Sequence, residues 1–154
     1  MVVGTKRMPR KLPVPKERWR ICVLAGAARN VVPLGPEIDI PLAECVTETQ
    51  RDIAESRILA PIVGHVGDGN FHLTLLVDMD DADEVRRAKA LSERLVERAL
   101  AMDGTCTGEH GVGQGKMKYL VAEHGAAALA VMASIKRALD PKNIMNPGKI
   151  VALS

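Results

Sequence analysis

The sequence predicts an α+β domain in which helices pack on one face of an antiparallel sheet. Two apolar, β-branched runs flank Gly67-Asp68-Gly69-Asn70, as a hairpin requires. A long amphipathic stripe follows them, from Val85 to Met102. The order helix, hairpin, helix, short strand, helices places strands next to one another rather than alternating with crossovers, which favours an antiparallel sheet.

Residues 1–36 read as a basic, proline-rich extension, poorly ordered, ahead of a domain spanning 37–154. Six of the nine prolines lie at or before Pro41, and residues 1–20 carry seven Lys or Arg against Glu17 alone. Neither helical nor strand periodicity is visible there. From Pro41 onward Leu42, Val46, Thr49, Ile53 and Ala54 recur at helical spacing. Strands are expected at 62–66 and 70–77. Asp81 is placed to cap the next helix with Glu84 three residues on, and Val85, Ala88, Leu91, Leu95, Ala99 and Met102 form its inner stripe up to Gly104. A short strand near 105–107 leads into a glycine-punctuated loop at 108–115. Helical stretches are predicted over 116–122 and 126–139, ending before Pro141.

Composition narrows the function classes. A chain of 154 residues with 47% hydrophobic and 26% charged residues is a soluble-type globular protein of one domain. Removing the +6 of the first twenty residues from the total of +2 leaves the body at −4, so basic character belongs to the extension. Only Trp19, Phe71 and Tyr119 are aromatic, which speaks against base stacking and nucleic-acid partners. Cys22, Cys45 and Cys106 have no close spacing, which argues against a disulfide framework or thiolate metal site and for a reduced, cytoplasmic compartment. No apolar run has the length of a membrane span, and no signal peptide is read.

The chemistry concentrates in the hairpin and the glycine loop. With Asp68 and Gly69 as a two-residue turn, His65 lies directly across from His72, close enough for two imidazoles to share one ion. Alternation then sends Leu73, Leu75 and Val77 to the helix-covered face and leaves His72 and Thr74 on the site face. The plainer reading is a stacked histidine pair on a half-buried sheet. Glu109 completes a two-histidine, one-carboxylate set suited to zinc, manganese or iron(II), with His110 beside it as a base. Gly111, Gly113 and Gly115 read as a flexible loop, and Lys116 and Lys118 follow it closely enough to face an anion. His124 reads as a helix-terminal or exposed residue.

Three ordered segments carry a family resemblance: Ile62–His72 (IVGHVGDGNFH), Gly108–Gly113 (GEHGVG) and Leu139–Lys149 (LDPKNIMNPGK). They resemble the C-terminal region of FAD-linked oxidases of the D-lactate dehydrogenase, glycolate oxidase and D-2-hydroxyglutarate dehydrogenase type, within the vanillyl-alcohol oxidase superfamily, over about residues 38–152. The resemblance implies part of a ferredoxin-like cap domain, with His65, His72 and Glu109 holding zinc or manganese against a small 2-hydroxy-acid substrate. It implies His110 as the base that takes the hydroxyl proton while hydride passes to FAD. Thr74 matches a substrate-touching position that is asparagine in some members, and Asn146, with Gly111 of the loop, falls on the cofactor side. Family members are about three times as long; the FAD-binding half and the upstream cations that clamp the substrate carboxylate are not recognisable here. The chain is therefore expected to need a separate FAD-binding domain or subunit, to be inactive without it, and to bury its uncovered surface in a homodimer or be marginally stable. Two other classes fit the residues less well: an independent metal-dependent hydrolase, which has no use for the Asp140–Lys149 motif, and a non-catalytic metal-binding remnant.

Overall fold

The structure is a computed structural model that describes residues 19–28, 40–65, 69–107 and 110–153. Three antiparallel strands, β1 (Trp19–Ala28), β2 (Ile62–His65) and β3 (Asn70–Asp78), form one sheet in the order β1-β3-β2. Helices α1 (Ile40–Ser56), α2 (Ala82–Ala101) and α3 (Leu120–Leu139) complete the α+β arrangement predicted from the sequence. A single 3-10 turn, Met117–Tyr119, leads into α3.

β3 is the central strand because its alternation is strict. Phe71, Leu73, Leu75 and Val77 are buried against Cys45 of α1 and Ala88, Leu91 and Leu95 of α2. Sending every odd residue to one apolar layer fixes the register, since a one-residue slip would expose all four. The even residues thus occupy the opposite face, where Asn70 and His72 begin the strand. Pairing on the β2 side continues past Pro61, whose carbonyl accepts from Thr74 N at 3.1 Å, to Leu59, whose carbonyl accepts from Leu76 N at 3.0 Å.

α2 follows the predicted stripe closely. Asp81 accepts the N–H groups of Asp83 and Glu84, satisfying two donors that the first turn leaves unpaired. Glu84 reaches the N–H of Asp78 rather than that of Asp81, so it ties the helix to the end of β3. At the other end Gly104 N–H bonds to Ala99 O and Asp103 N–H to Leu100 O, a Schellman closure. The left-handed position falls on Asp103, φ 58°, one residue before the expected glycine.

Three expectations are corrected. The poorly ordered extension expected over 1–36 does not hold for 19–28, which pair with β3 from Trp19↔Asp78 to Ala25↔His72. The remainder of that segment lies outside the described residues. Its alternation is diluted by Ala25-Gly26-Ala27-Ala28, and the strand forms because β3 offers an unpaired edge, a partner no local pattern reveals. The short strand near 105–107 is one bridge position, Thr105. The third correction is the hairpin register, on which the site depends. The two predicted C-terminal helical stretches, by contrast, appear as one helix broken at Gly125, whose φ of 80° and ψ of 160° are not helical.

Candidate functional site

His65 pairs with Asn70, not His72; Val63 is the residue opposite His72. The two-residue turn at Asp68-Gly69 is therefore replaced by a four-residue connection, 66–69, of which 66–68 lie outside the described residues. The cause is visible at Gly64. A Cβ built there would meet Phe71 Cα at 2.4 Å and Asn70 O at 2.5 Å, so the strands close on each other where no side chain intervenes. Gly69 takes the left-handed conformation at φ 70°, suiting the end of a longer loop. The shift is by an even number of places, so His65 still shares a face with His72. Their relation changes from opposed to diagonal, a Cα spacing of about 7–8 Å.

His72 is almost fully buried, whereas His65 and His110 are exposed. The imidazoles of His72 and His110 meet edge to face, centroids 5.0 Å apart and planes at 85°. Two motifs far apart in sequence thus converge on one spot, as expected of a site. The loop carrying His110 is held by its own backbone, where His110 N–H donates to Thr107 O at 3.1 Å. Gly108 and Glu109 themselves lie outside the described residues. Among the described residues no three His, Cys, Asp or Glu side chains gather as a metal-binding group. Thr74 lies two positions along β3 on the site face, half-buried.

The closing motif is tethered to the glycine loop. Ile150 N–H donates to Gly113 O at 2.9 Å, and a Cβ on Gly148 would come within 3.9 Å of Gln114 Nε2. Buried Asp140 shapes the segment between, accepting from Ile144 N at 3.0 Å and Met145 N at 2.9 Å while pairing with Lys136. Asn146, φ 48°, and Gly111, φ 71°, are both exposed.

Beneath the loop sits a cluster that the motifs did not single out. Cys106 is 1% exposed; burial first, and then the adjacent Glu123 carboxylate, push its thiol up to about 12. Glu123 Oε2 accepts from Cys106 N at 3.0 Å. A thiol so far from ionisation is no nucleophile, and its place is structural. Lys116, its amine lowered by burial, reaches Thr107 O at 3.4 Å and so braces the loop instead of facing an open anion site. Lys118 pairs with Glu93, and His124 lies 3.5 Å from Glu123.

Asn70 is the residue that motif reading passed over. It is 6% exposed, sits opposite His65, and its Oδ1 has no hydrogen-bond partner among the described residues. The available signal was the register itself: only the observed pairing puts it beside a histidine.

Residues 23–150 match the family described as FAD linked oxidases, C-terminal domain. The chain is 52% identical over 113 residues to a probable mitochondrial D-lactate dehydrogenase of Danio rerio, covering 73% of this chain and 23% of that protein. It is 48% identical to a mitochondrial D-lactate dehydrogenase [cytochrome] of Arabidopsis thaliana, over 88% of this chain and 25% of the relative. It is 43% identical to glycolate oxidase subunit GlcD of Bacillus subtilis, over 58% of this chain and 19% of that subunit. The chain thus spans about a quarter or less of the curated relatives it matches. With the match running from β1 through the hairpin and glycine loop into the closing motif, the chain belongs to the FAD-linked oxidase C-terminal domain family.

Proposed function

We propose that this chain is the substrate- and metal-binding part of a flavin-dependent 2-hydroxy-acid dehydrogenase acting on a D-lactate-, glycolate- or D-2-hydroxyglutarate-like substrate. The observation that carries the reading is the edge-to-face meeting of His72 and His110 on the sheet face that also holds His65 and Thr74. The donor set suits a borderline divalent ion such as zinc or manganese: two imidazoles on one face, with a carboxylate, Glu109, next to His110 in the sequence. A divalent ion held there would polarise the substrate hydroxyl. His110, exposed at the mouth of the site, takes the hydroxyl proton, and Thr74 contacts the substrate further along β3. FAD, when bound, supplies the hydride acceptor that no amino-acid side chain provides. Asn146 and Gly111 face the cofactor side, where the exposed Ile144, Met145 and Ile150 offer apolar surface. The tether between Ile150 and Gly113 favours this reading over an independent hydrolase, which needs no closing motif docked to its loop.

Metal analysis of the purified chain tests the site. About one zinc or manganese per chain is expected, with His65→Ala, His72→Ala and Glu109→Ala each weakening it at least tenfold. Unchanged metal content in all three variants rejects the ligand set. The chain free of flavin should not oxidise D-lactate; sustained turnover by the colourless protein rejects the part given to FAD. The relatives' mitochondrial names set that compartment beside the cytoplasmic one, and no helix among the described residues is long and apolar enough to cross a membrane. Cell fractionation separates the two.

A further inference from the structure

The stretch that leads into the glycine loop has little regular structure: Thr105 is a single bridge position, and Cys106 and Thr107 belong to no helix or strand. It is nevertheless held from two directions. Glu123, on the first turn of α3, accepts the Cys106 N–H at 3.0 Å. Lys116 Nζ donates to Thr107 O at 3.4 Å, and the same carbonyl accepts His110 N–H at 3.1 Å. A hydrogen-bonded path therefore runs from Glu123 through Cys106 and Thr107 to His110, whose ring meets that of His72. The Glu123 side chain is 10% exposed, whereas its neighbour His124, 3.5 Å away, is 40% exposed, so the pair between those two is weak. Burial raises the Glu123 carboxyl, but bonds from Thr105 and Cys106 outweigh it and hold the group below the usual carboxylate range. Gly125 makes that contact matter. Its φ of 80° and ψ of 160° break α3, so Leu120–His124 do not take their direction from the longer part of the helix. They are fixed instead by Leu120, buried with Val96 and Cys106, and by the Glu123 bond.

We propose that Glu123 is a positioning residue for His110, its carboxylate fixing the Thr105–Thr107 segment so that the His110 imidazole is held against that of His72. The inference rests on the reading of His110 as the base given above. A base must stand within hydrogen-bond reach of the proton it takes, and an exposed, glycine-rich loop does not by itself keep a ring there. The tether of Gly113 to Ile150 steadies the far end of the loop, and Glu123 steadies the end at which His110 stands.

NMR of the full, metal-free chain tests it on three variants. Glu123→Ala removes the acceptor, Glu123→Asp keeps the charge but withdraws the oxygens by one methylene, and Glu123→Gln keeps an acceptor oxygen at the original reach. In Glu123→Ala and Glu123→Asp the Cys106 amide should exchange roughly 10–100-fold faster, the worth of a hydrogen bond to a charged group, while the β3 amides stay close to wild type. Cross-relaxation between the His72 and His110 rings should vanish in those two variants and persist in Glu123→Gln. Unchanged exchange of the Cys106 amide in folded Glu123→Asp overturns the proposal. So does a ring contact that survives once that amide is exposed, or one that is lost in folded Glu123→Gln. If Glu123→Ala fails to fold, Glu123→Asp and Glu123→Gln decide by the same measurements. The reading of the site fails separately, on metal content unchanged by His65→Ala, His72→Ala and Glu109→Ala, and the ring contact then judges the Glu123 bond by itself.

Discussion

Gly64 shows how much one missing side chain can determine. Because Phe71 Cα and Asn70 O lie within 2.5 Å of where its Cβ would stand, any larger residue must push β2 off β3 by moving backbone, not a flexible side-chain end. Overpacking of that kind costs about 1–3 kcal/mol. Gly64→Ala is therefore expected to destabilise the chain by about 2–3 kcal/mol in urea unfolding and to weaken zinc binding as well, because His65 is the next residue. A stable Gly64→Ala that binds zinc normally would mean that the strands are not held at the observed register. The glycine is legible as a motif position, but its reason is a cross-strand contact. A sequence read with the two-residue turn puts Leu73 opposite Gly64 and reaches the wrong partner for both histidines.

Among the elements, α1 and α2 are joined by charged and polar side chains. Asp52 accepts from Arg94 Nε at 2.8 Å and from Arg98, while Arg98 also donates to Thr49 Oγ1 at 3.1 Å. Burial raises the Asp52 carboxyl, but the hydrogen bonds and charges of Arg98 and Arg94 outweigh it and hold the group below the usual range. A depressed folded value means stability that is present above the unfolded carboxylate value of about 3.9 and is lost as pH falls through the folded value. The expected outcome is that Asp52→Asn lowers stability at pH 7 by about 2–3 kcal/mol, leaving Arg98 unpaired, and flattens the acid limb below about pH 4. Thermal melts from pH 2 to 7 check it; parallel acid limbs would exclude the ion pair as their source. This face was only half legible. Leu42, Val46, Thr49 and Ile53 mark it correctly, yet Ala54 is exposed while Cys45, Asp52 and Ser56 are buried. An aspartate enters an inner face only because two arginines lie one turn apart on the neighbouring helix, and local periodicity cannot report that. The Asp81 cap and the stripe of α2 were readable because both are local, whereas the Glu84 contact with β3 and the left-handed stop at Asp103 were not. Nor was β1, since its cause is the edge of β3.

At the scale of the whole molecule, apolar surface is left uncovered on one side. Val131, Ile135 and Leu139 recur at four-residue intervals along α3 and are 59%, 54% and 74% exposed. Ile144 and Met145 extend the stripe beyond the helix end. Exposed patches of this kind mark an interaction surface. The expected outcome is concentration-dependent association of the chain, read by light scattering or sedimentation, that Ile135→Lys with Leu139→Lys reduces while leaving the circular dichroism unchanged. A strictly monomeric wild type across the concentration range would refute it. Val63, opposite His72 and 56% exposed, shows that the site face is likewise open on the β2 side.

The bond from Ile150 N to Gly113 O has a thermodynamic side. It joins the glycine loop to the C-terminal residues, so that ordering either one lowers the entropy cost of ordering the other. Linkage is reciprocal: a ligand that quiets the loop must also quiet the tail, by the same free energy. Lys149 lies next to Ile150 and is exposed, which makes the rate of tryptic cleavage there a gauge of loop occupancy, read some distance from the histidines and without any measurement of turnover.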